Sequence, residues 1–259
     1  MDEEATGLVE LATAVVAARA AVDIGVAGAE DRTTEAYTRL VERQLAEGLA
    51  HDALETAQEL VEHRRTVADT SVEGLLRHEQ ALALLETALP RTADVRLRVS
   101  GLRQQAQVRE QLAQRDPAHV TSAVVTMLEL ATVLREQGEH REVRTVAARA
   151  AELAAAVPDE LDRTFLETEA HLLRALALVT SRRRRNRLDA VAAATRAVEL
   201  TRSERTLWTL ATIQQTLGQG AEALGTVDEA LTLPARSRDP EVHADLLRLR
   251  ETLTGRAAS

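Results

Sequence analysis

Apolar residues recur every three to four positions along almost the whole chain, which is the spacing at which one face of an α-helix returns. No stretch alternates convincingly at period two, so no strand is predicted. The helical pattern breaks near Gly25 and Gly28, at Gly48, over residues 63–70, at Pro90, and at Asp116-Pro117. It breaks again at Gly138, at Pro158, over residues 182–187 and 201–203, at Gly218 and Gly220, and over residues 234–240. About twelve helices result, joined by short connections. Asp116-Pro117 and Asp239-Pro240 share one grammar, an Asp N-cap followed by Pro at the first helical position. Thr70 with Glu73 predicts a capping box.

Breaks this regular call for a test of internal repetition. The clearest unit is "LWTLATIQQTLGQGAEALGTVDEALTLP", with Leu207, Leu210-Ala211, Gly218, Glu222-Ala223-Leu224, Val227, Ala230-Leu231 and Pro234. The same grid fits Leu130-Ala131, Gly138, Glu142-Val143, Ala147 and Ala150. It fits again on Leu40-Val41, Gly48, Asp52-Ala53-Leu54, Ala57 and Leu60-Val61. Two copies are degenerate. One uses Leu82-Ala83, Pro90 in place of the glycine, Asp94-Val95 and Val99; the other uses Leu176-Ala177, Asp189-Ala190, Ala194 and Ala197. The small-residue site thus falls at 41, 83, 131, 177 and 211, at intervals of 42, 48, 46 and 34.

This grid resembles the tetratricopeptide repeat, a helix–turn–helix in which small residues let two helices approach and a glycine makes the turn. Only the last interval matches that family's usual period of about 34. The longer ones are similar to the tandem repeats of actinobacterial proteins, and the family's usual aromatics are nearly absent. The expected fold is all-α: a right-handed α-solenoid of about five hairpins. It is expected as a single array over residues 1–259, with a leading helix in 1–28, repeats in 30–235, a capping helix in 239–255 and a tail in 256–259. The leading helix is expected to pack on its own chain. As an alternative, its apolar surface could dock another chain.

Composition supports the helical reading. Hydrophobic residues make up 45% and charged residues 28% of the 259, which excludes a disordered chain. The apolar share is mostly Ala, Leu and Val, and the only aromatics are Tyr37, Phe165 and Trp208. Ala and Leu favour helix where aromatics favour strands. There is no Lys, so all 32 basic residues are Arg, and Asn occurs once, at Asn186. That skew points to a GC-rich genome.

Charge and chemistry narrow the function classes. The net charge of −9 argues against nucleic acid as the main partner. The run "RRRRNR" over residues 182–187 is read as a solvated hairpin tip in which Arg at a helix C-terminus complements the dipole, or else as an anion or acidic-partner contact. A weak nucleic-acid contact there is a third reading. The absence of Cys removes disulfides, thiolate metal sites and Cys nucleophiles. The seven histidines include no pair three or four apart, so no metal site is expected. "LGQGAEAL" has no Lys and no preceding strand, and there is no G-x-S-x-G, so no cofactor and no catalysis are expected. The acidic start "MDEEATG" lacks the positive charge of a secretory signal, and residues 8–29 are broken by Glu10, Arg19 and Asp23. No membrane partner and a cytoplasmic location are expected.

What the resemblance implies is a non-catalytic scaffold that holds a peptide or partner protein along the first helices of its hairpins. The implied groove residues are Thr38, Arg39 and Glu42, then Glu129, Thr132 and Arg135, then His171, Arg174 and Leu178, and finally Trp208, Thr212 and Gln215. The family's carboxylate clamp of Lys and Asn is absent from these positions, where Arg could take the role. Trp208 is either a groove anchor or a filler between neighbouring repeats. A stand-alone sensor module of a transcriptional or signalling system is the alternative.

Overall fold

In a computed structural model of the chain, residues 2–67, 70–89, 95–234 and 239–257 are described. Twelve α-helices run through them: α1 (Asp2–Asp23), α2 (Ala29–Ala46), α3 (Ala50–Val67), α4 (Val72–Ala88), α5 (Val95–Ala113), α6 (Val120–Glu136), α7 (His140–Ala154), α8 (Glu160–Val179), α9 (Arg184–Leu200), α10 (Glu204–Thr216), α11 (Gly220–Leu231) and α12 (Pro240–Ala257). A short 3-10 turn at Pro117–His119 precedes α6, and no described residue is in a strand. The chain divides into two units, Met1–His119 and Val120–Ser259.

Within each unit, consecutive helices pack against one another, and so do alternate ones. In the first unit α2 meets both α3 and α4; in the second α6 meets α8, α8 meets α10, and α10 meets α12. This is the hairpin stacking of a tetratricopeptide-like array, in which the first helices of successive pairs form one row.

Three hairpins share one set of contacts. Tyr37, Met127 and Leu207 start the grid, Leu40, Leu130 and Leu210 follow three residues later, and Val41, Ala131 and Ala211 come next; none is more than 8% exposed. On the returning helices Ala53, Val143 and Ala223, then Ala57, Ala147 and Val227, then Leu60, Ala150 and Ala230 are all 0% exposed. The turns are as alike. Gly48, Gly138 and Gly218 have φ of 77°, 76° and 80°. Each donates its N–H three residues back, to Leu45, Arg135 and Gln215. The residue after each glycine donates five back: Leu49 to Gln44 at 2.8 Å, Glu139 to Leu134 at 2.9 Å, Gln219 to Gln214 at 2.9 Å. These bonds are a Schellman motif, which satisfies the last carbonyls of the first helix. The left-handed φ is why the position is glycine.

One of the degenerate copies differs from expectation. In the second, Ala83 is exposed, and buried Ala81, Leu82, Leu84 and Leu85 match Leu130, Ala131, Val133 and Leu134, so Leu82 takes the contact site one residue earlier. Its Pro90 and Asp94 lie outside the described residues. In the fourth, buried Ala170, Leu172, Leu173, Ala175 and Ala177 of α8 match buried Glu204, Thr206, Leu207, Thr209 and Ala211 of α10, so Ala177 stands where Ala211 does. Ala175 packs with Ala190, Ala194, Leu210 and Ile213. The α8–α9 turn has no glycine, and its connection is spelled differently from the other three.

Helix ends hold further corrections. Ser71, not Thr70, is the N-cap of α4, with its Oγ accepting from Gly74 N–H at 3.0 Å. Residues 63–67 stay helical in α3. Asp116 accepts from Ala118 N–H at 2.9 Å, and Asp239 from Glu241 N–H at 3.0 Å, as the Asp-Pro grammar predicts. At residues 182–187 the turn is shorter than expected: α9 begins at Arg184, so Arg184, Arg185 and Arg187 sit at a helix N-terminus, the end that disfavours cations.

The first and last helices are served differently, each within its own unit. Leu8, Leu11 and Val15 of α1 pack on the first unit's core, whereas Val9 and Val16 face outward at 66% and 68% exposure. In the second unit, Leu246 and Leu253 of α12 pack with α10 and α11. The carboxylate of Glu204, 1% exposed, takes a bond from Asp239 N–H at 3.1 Å and pairs with His243 Nδ1 at 2.7 Å. The most apolar stretch, Pro117–Glu136, has a mean hydropathy of 1.4 and is long enough to cross a membrane, but 56% of it is buried within the protein.

Two glycines of the α10–α11 pair should respond in opposite ways: Gly218→Ala forces a side chain into the left-handed region and should lower stability by about 1–2 kcal/mol. Gly225→Ala, in the exposed interior of α11 with nothing within 4 Å of the added Cβ, should raise it by roughly 0.5–1 kcal/mol. Urea unfolding of the two variants reads both signs.

Candidate functional site

The first helices carry the candidate surface. In the three in-phase copies, Thr38, Leu128 and Trp208 are equivalent, as are Glu42, Thr132 and Thr212, and Leu45, Arg135 and Gln215. These positions lie between the buried ones; Glu42 and Arg135 are exposed and the others half-buried. Thr38 and Thr132 hydroxyls donate back to Thr34 and Leu128 carbonyls at 2.9 Å, which ties them to their own helices. Arg39 pairs with Glu35 along α2. Glu129 is half-buried on α6. Trp208 is half-buried against the group formed by Leu207, Ala211, Ala223 and Leu246.

The first unit has a cleft of about 570 Å3 between α2 and α4. Thr38 and Arg39 line it together with Asp31, Thr34, Glu35 and Gln80. In the second unit, with Ala177 set against Ala211, Arg174 and Leu178 share the positions of Trp208 and Thr212. Leu178 is buried in the α8–α9–α10 contact. His171 and Arg174 are half-buried, and the charge of Arg196 on α9 reaches His171. Burial, then the cations of Arg174 and Arg196, lower the His171 pKa against the opposing pull of Glu167, so the ring is neutral at pH 7.

Two features of the surface were not anticipated. Arg205 of α10 makes a two-bond fork to Glu169 of α8, at 2.6 and 2.7 Å, across neighbouring first helices. Val125 on α6, Phe165 on α8 and Leu247 on α12 are 47%, 60% and 45% exposed. The signal for Phe165 was available: it is one of three aromatics in the chain and falls outside the repeat grid. For Glu169 no signal existed, because carboxylates are abundant on every helical face.

No described residues form a group of three or more His, Asp or Glu that could hold a metal ion. No family model and no curated protein matches the chain. Among solved structures it is similar to the complex of the TPR2AB domain of yeast Sti1 with pHSP90, at 17% identity over 95% of this chain and 98% of that one, with a TM-score of 0.34. Yeast Tom70 is similar at 14% identity over 96% of this chain, with a TM-score of 0.32; the chain spans 59% of the Tom70 chain.

The strongest electrostatic feature of the first unit is a polar knot under these helices. Arg64, its side chain 3% exposed, bonds Glu30 and Thr34 of α2. Burial and the nearby Arg77 bring its pKa down to about 10, which leaves it charged. His63, with Nε2 3.9 Å from Glu30, and His78, beside Arg64, are both lowered, first by burial and then by Arg19 and Arg64 respectively. Both imidazoles are therefore neutral when folded at pH 7, and below pH 6.5 the unfolded chain takes up protons first. Stability should be fully present above pH 6.5 and fall as the pH drops towards 5. The double variant His63→Gln/His78→Gln should flatten this slope in urea titrations at successive pH values.

Proposed function

We propose that this chain is a non-catalytic protein-interaction scaffold which holds a peptide or partner protein along the first helices of its hairpins. The observation that carries the reading is the row of packed first helices α6, α8, α10 and α12, which presents Val125, Phe165 and Leu247 to solvent with Trp208 half-buried. Large apolar side chains left exposed on adjoining elements are the usual mark of a surface that buries them against another molecule. The Glu169–Arg205 fork neutralises its own charges, so the polar contacts left to a ligand come from Arg135, Thr132, Thr212 and Gln215. Arg135 is the groove residue best suited to an acidic group on the ligand.

Affinity purification from the source cell, read by mass spectrometry, tests this. Wild type should capture a reproducible protein, and Trp208→Ala or Arg135→Glu should each reduce its recovery at least about tenfold. Capture that is equal for wild type and both variants would count against the groove.

A further inference from the structure

We propose that the tip between α8 and α9 is a docking site for an acidic peptide segment that carries an aliphatic side chain. Arg182, Arg183, Arg184, Arg185 and Arg187 are all exposed, and among the described residues none of their guanidinium groups makes an ion pair or a hydrogen bond. Elsewhere the chain pairs its arginines readily, even exposed ones: Arg65 with Glu62, Arg196 with Glu199, Arg202 with Glu229, Arg205 with Glu169. Among the described residues Arg115 and Arg141 also stand exposed without an ion pair, but singly; five arginines within six residues, with Asp189 the nearest carboxylate in sequence, form a cluster found nowhere else in the chain.

The arginines also stand where the fold gains nothing from them. Three occupy the first turn of α9, which carries no acidic residue. There the unpaired backbone N–H groups make the end positive, and neighbouring guanidinium groups repel one another. Nothing in the helical packing requires Arg at these positions, since their side chains point to water. What the fold supplies is a fixed base for them. Ser181 N–H donates to Leu178 at 3.0 Å, and Ser181 Oγ accepts from Arg183 N–H at 3.3 Å and from the Asn186 side-chain amide at 2.7 Å. The chain's single Asn is thus used to hold the arginine loop in place.

Charge complementarity selects an anion, and the neighbouring side chain selects its kind. Leu188, 61% exposed, lies four residues after Arg184 and three after Arg185, on the same face of α9. A cationic cluster beside a bare Leu suits a peptide with carboxylates around an aliphatic residue. The tip has no aromatic side chain on which a base could stack, and the net charge of −9 repels a long polyanion while leaving a short acidic segment free to bind locally. This site is separate from the first-helix groove, and it stands whether or not the groove binds.

Fluorescence anisotropy with a short labelled peptide of Glu interspersed with Leu, at about 0.1 M salt, tests the proposal on the full chain. Replacing Arg182, Arg183, Arg184 and Arg185 by Ser should weaken binding about tenfold or more. Leu188→Ser should weaken it about threefold or more, and an all-Glu peptide should bind wild type less well. The thermal midpoint of the quadruple variant should be unchanged or higher, since a destabilising charge cluster is gone. The pair Arg182→Ser/Arg183→Ser lies outside α9 and should show part of the same loss if the quadruple variant fails to fold. Unchanged peptide affinity in these variants would overturn the proposal. So would tighter binding of a DNA duplex, an RNA strand or phosphatidylserine vesicles, if lost in the same variants.

Discussion

The close approach of paired helices through alanine and valine is the constraint on which this structure depends. With almost no aromatics, the chain cannot fill wide spaces between helices. It narrows them instead: Ala53, Ala57, Ala131, Ala147, Ala150, Ala211 and Ala223 are all 0% exposed at the crossings. Alanine loses no side-chain freedom on burial, so such contacts carry little entropic cost. They also bury little area each, and the array needs many of them. The left-handed glycine after a first helix is what brings the second helix back at that short distance.

Polar contacts supply what small side chains cannot, namely a preference for one neighbour and one register. Arg64 with Glu30 and Thr34 links α3 to α2, Arg205 with Glu169 links α10 to α8, and Glu204 with His243 links α10 to α12. A smooth alanine face can slide by a turn with a modest loss of contact; a buried carboxylate cannot be separated from its partners without leaving a charge unsatisfied.

How far the fold could be read from sequence follows from the same division. The three glycine-marked hairpins were legible because a left-handed φ demands a residue type, and because buried small residues at a fixed distance from it can be counted. The bounds of the α8–α9 turn were not legible, because it is held by Ser181 and Asn186, a pattern with no unique spelling. Groove positions on α2, α6, α8 and α10 follow from their spacing to the small-residue site, but burial does not: Leu178 on α8 is buried in the α8–α9–α10 contact. The long-range pairs were illegible, since any of the many Glu residues could have been the partner of any Arg.

Hairpins that close over short turns make their contacts between residues near in sequence, and chains built this way fold quickly and from more than one starting point. In the second unit, structure can spread from the α6–α7 or the α10–α11 hairpin, each nucleated by its glycine. The α8–α9 turn between them has neither a glycine nor favourable charge. That pair is held by its packing, through Ala175, Ala190, Ala193 and Ala194, where its neighbours also have a turn that specifies itself.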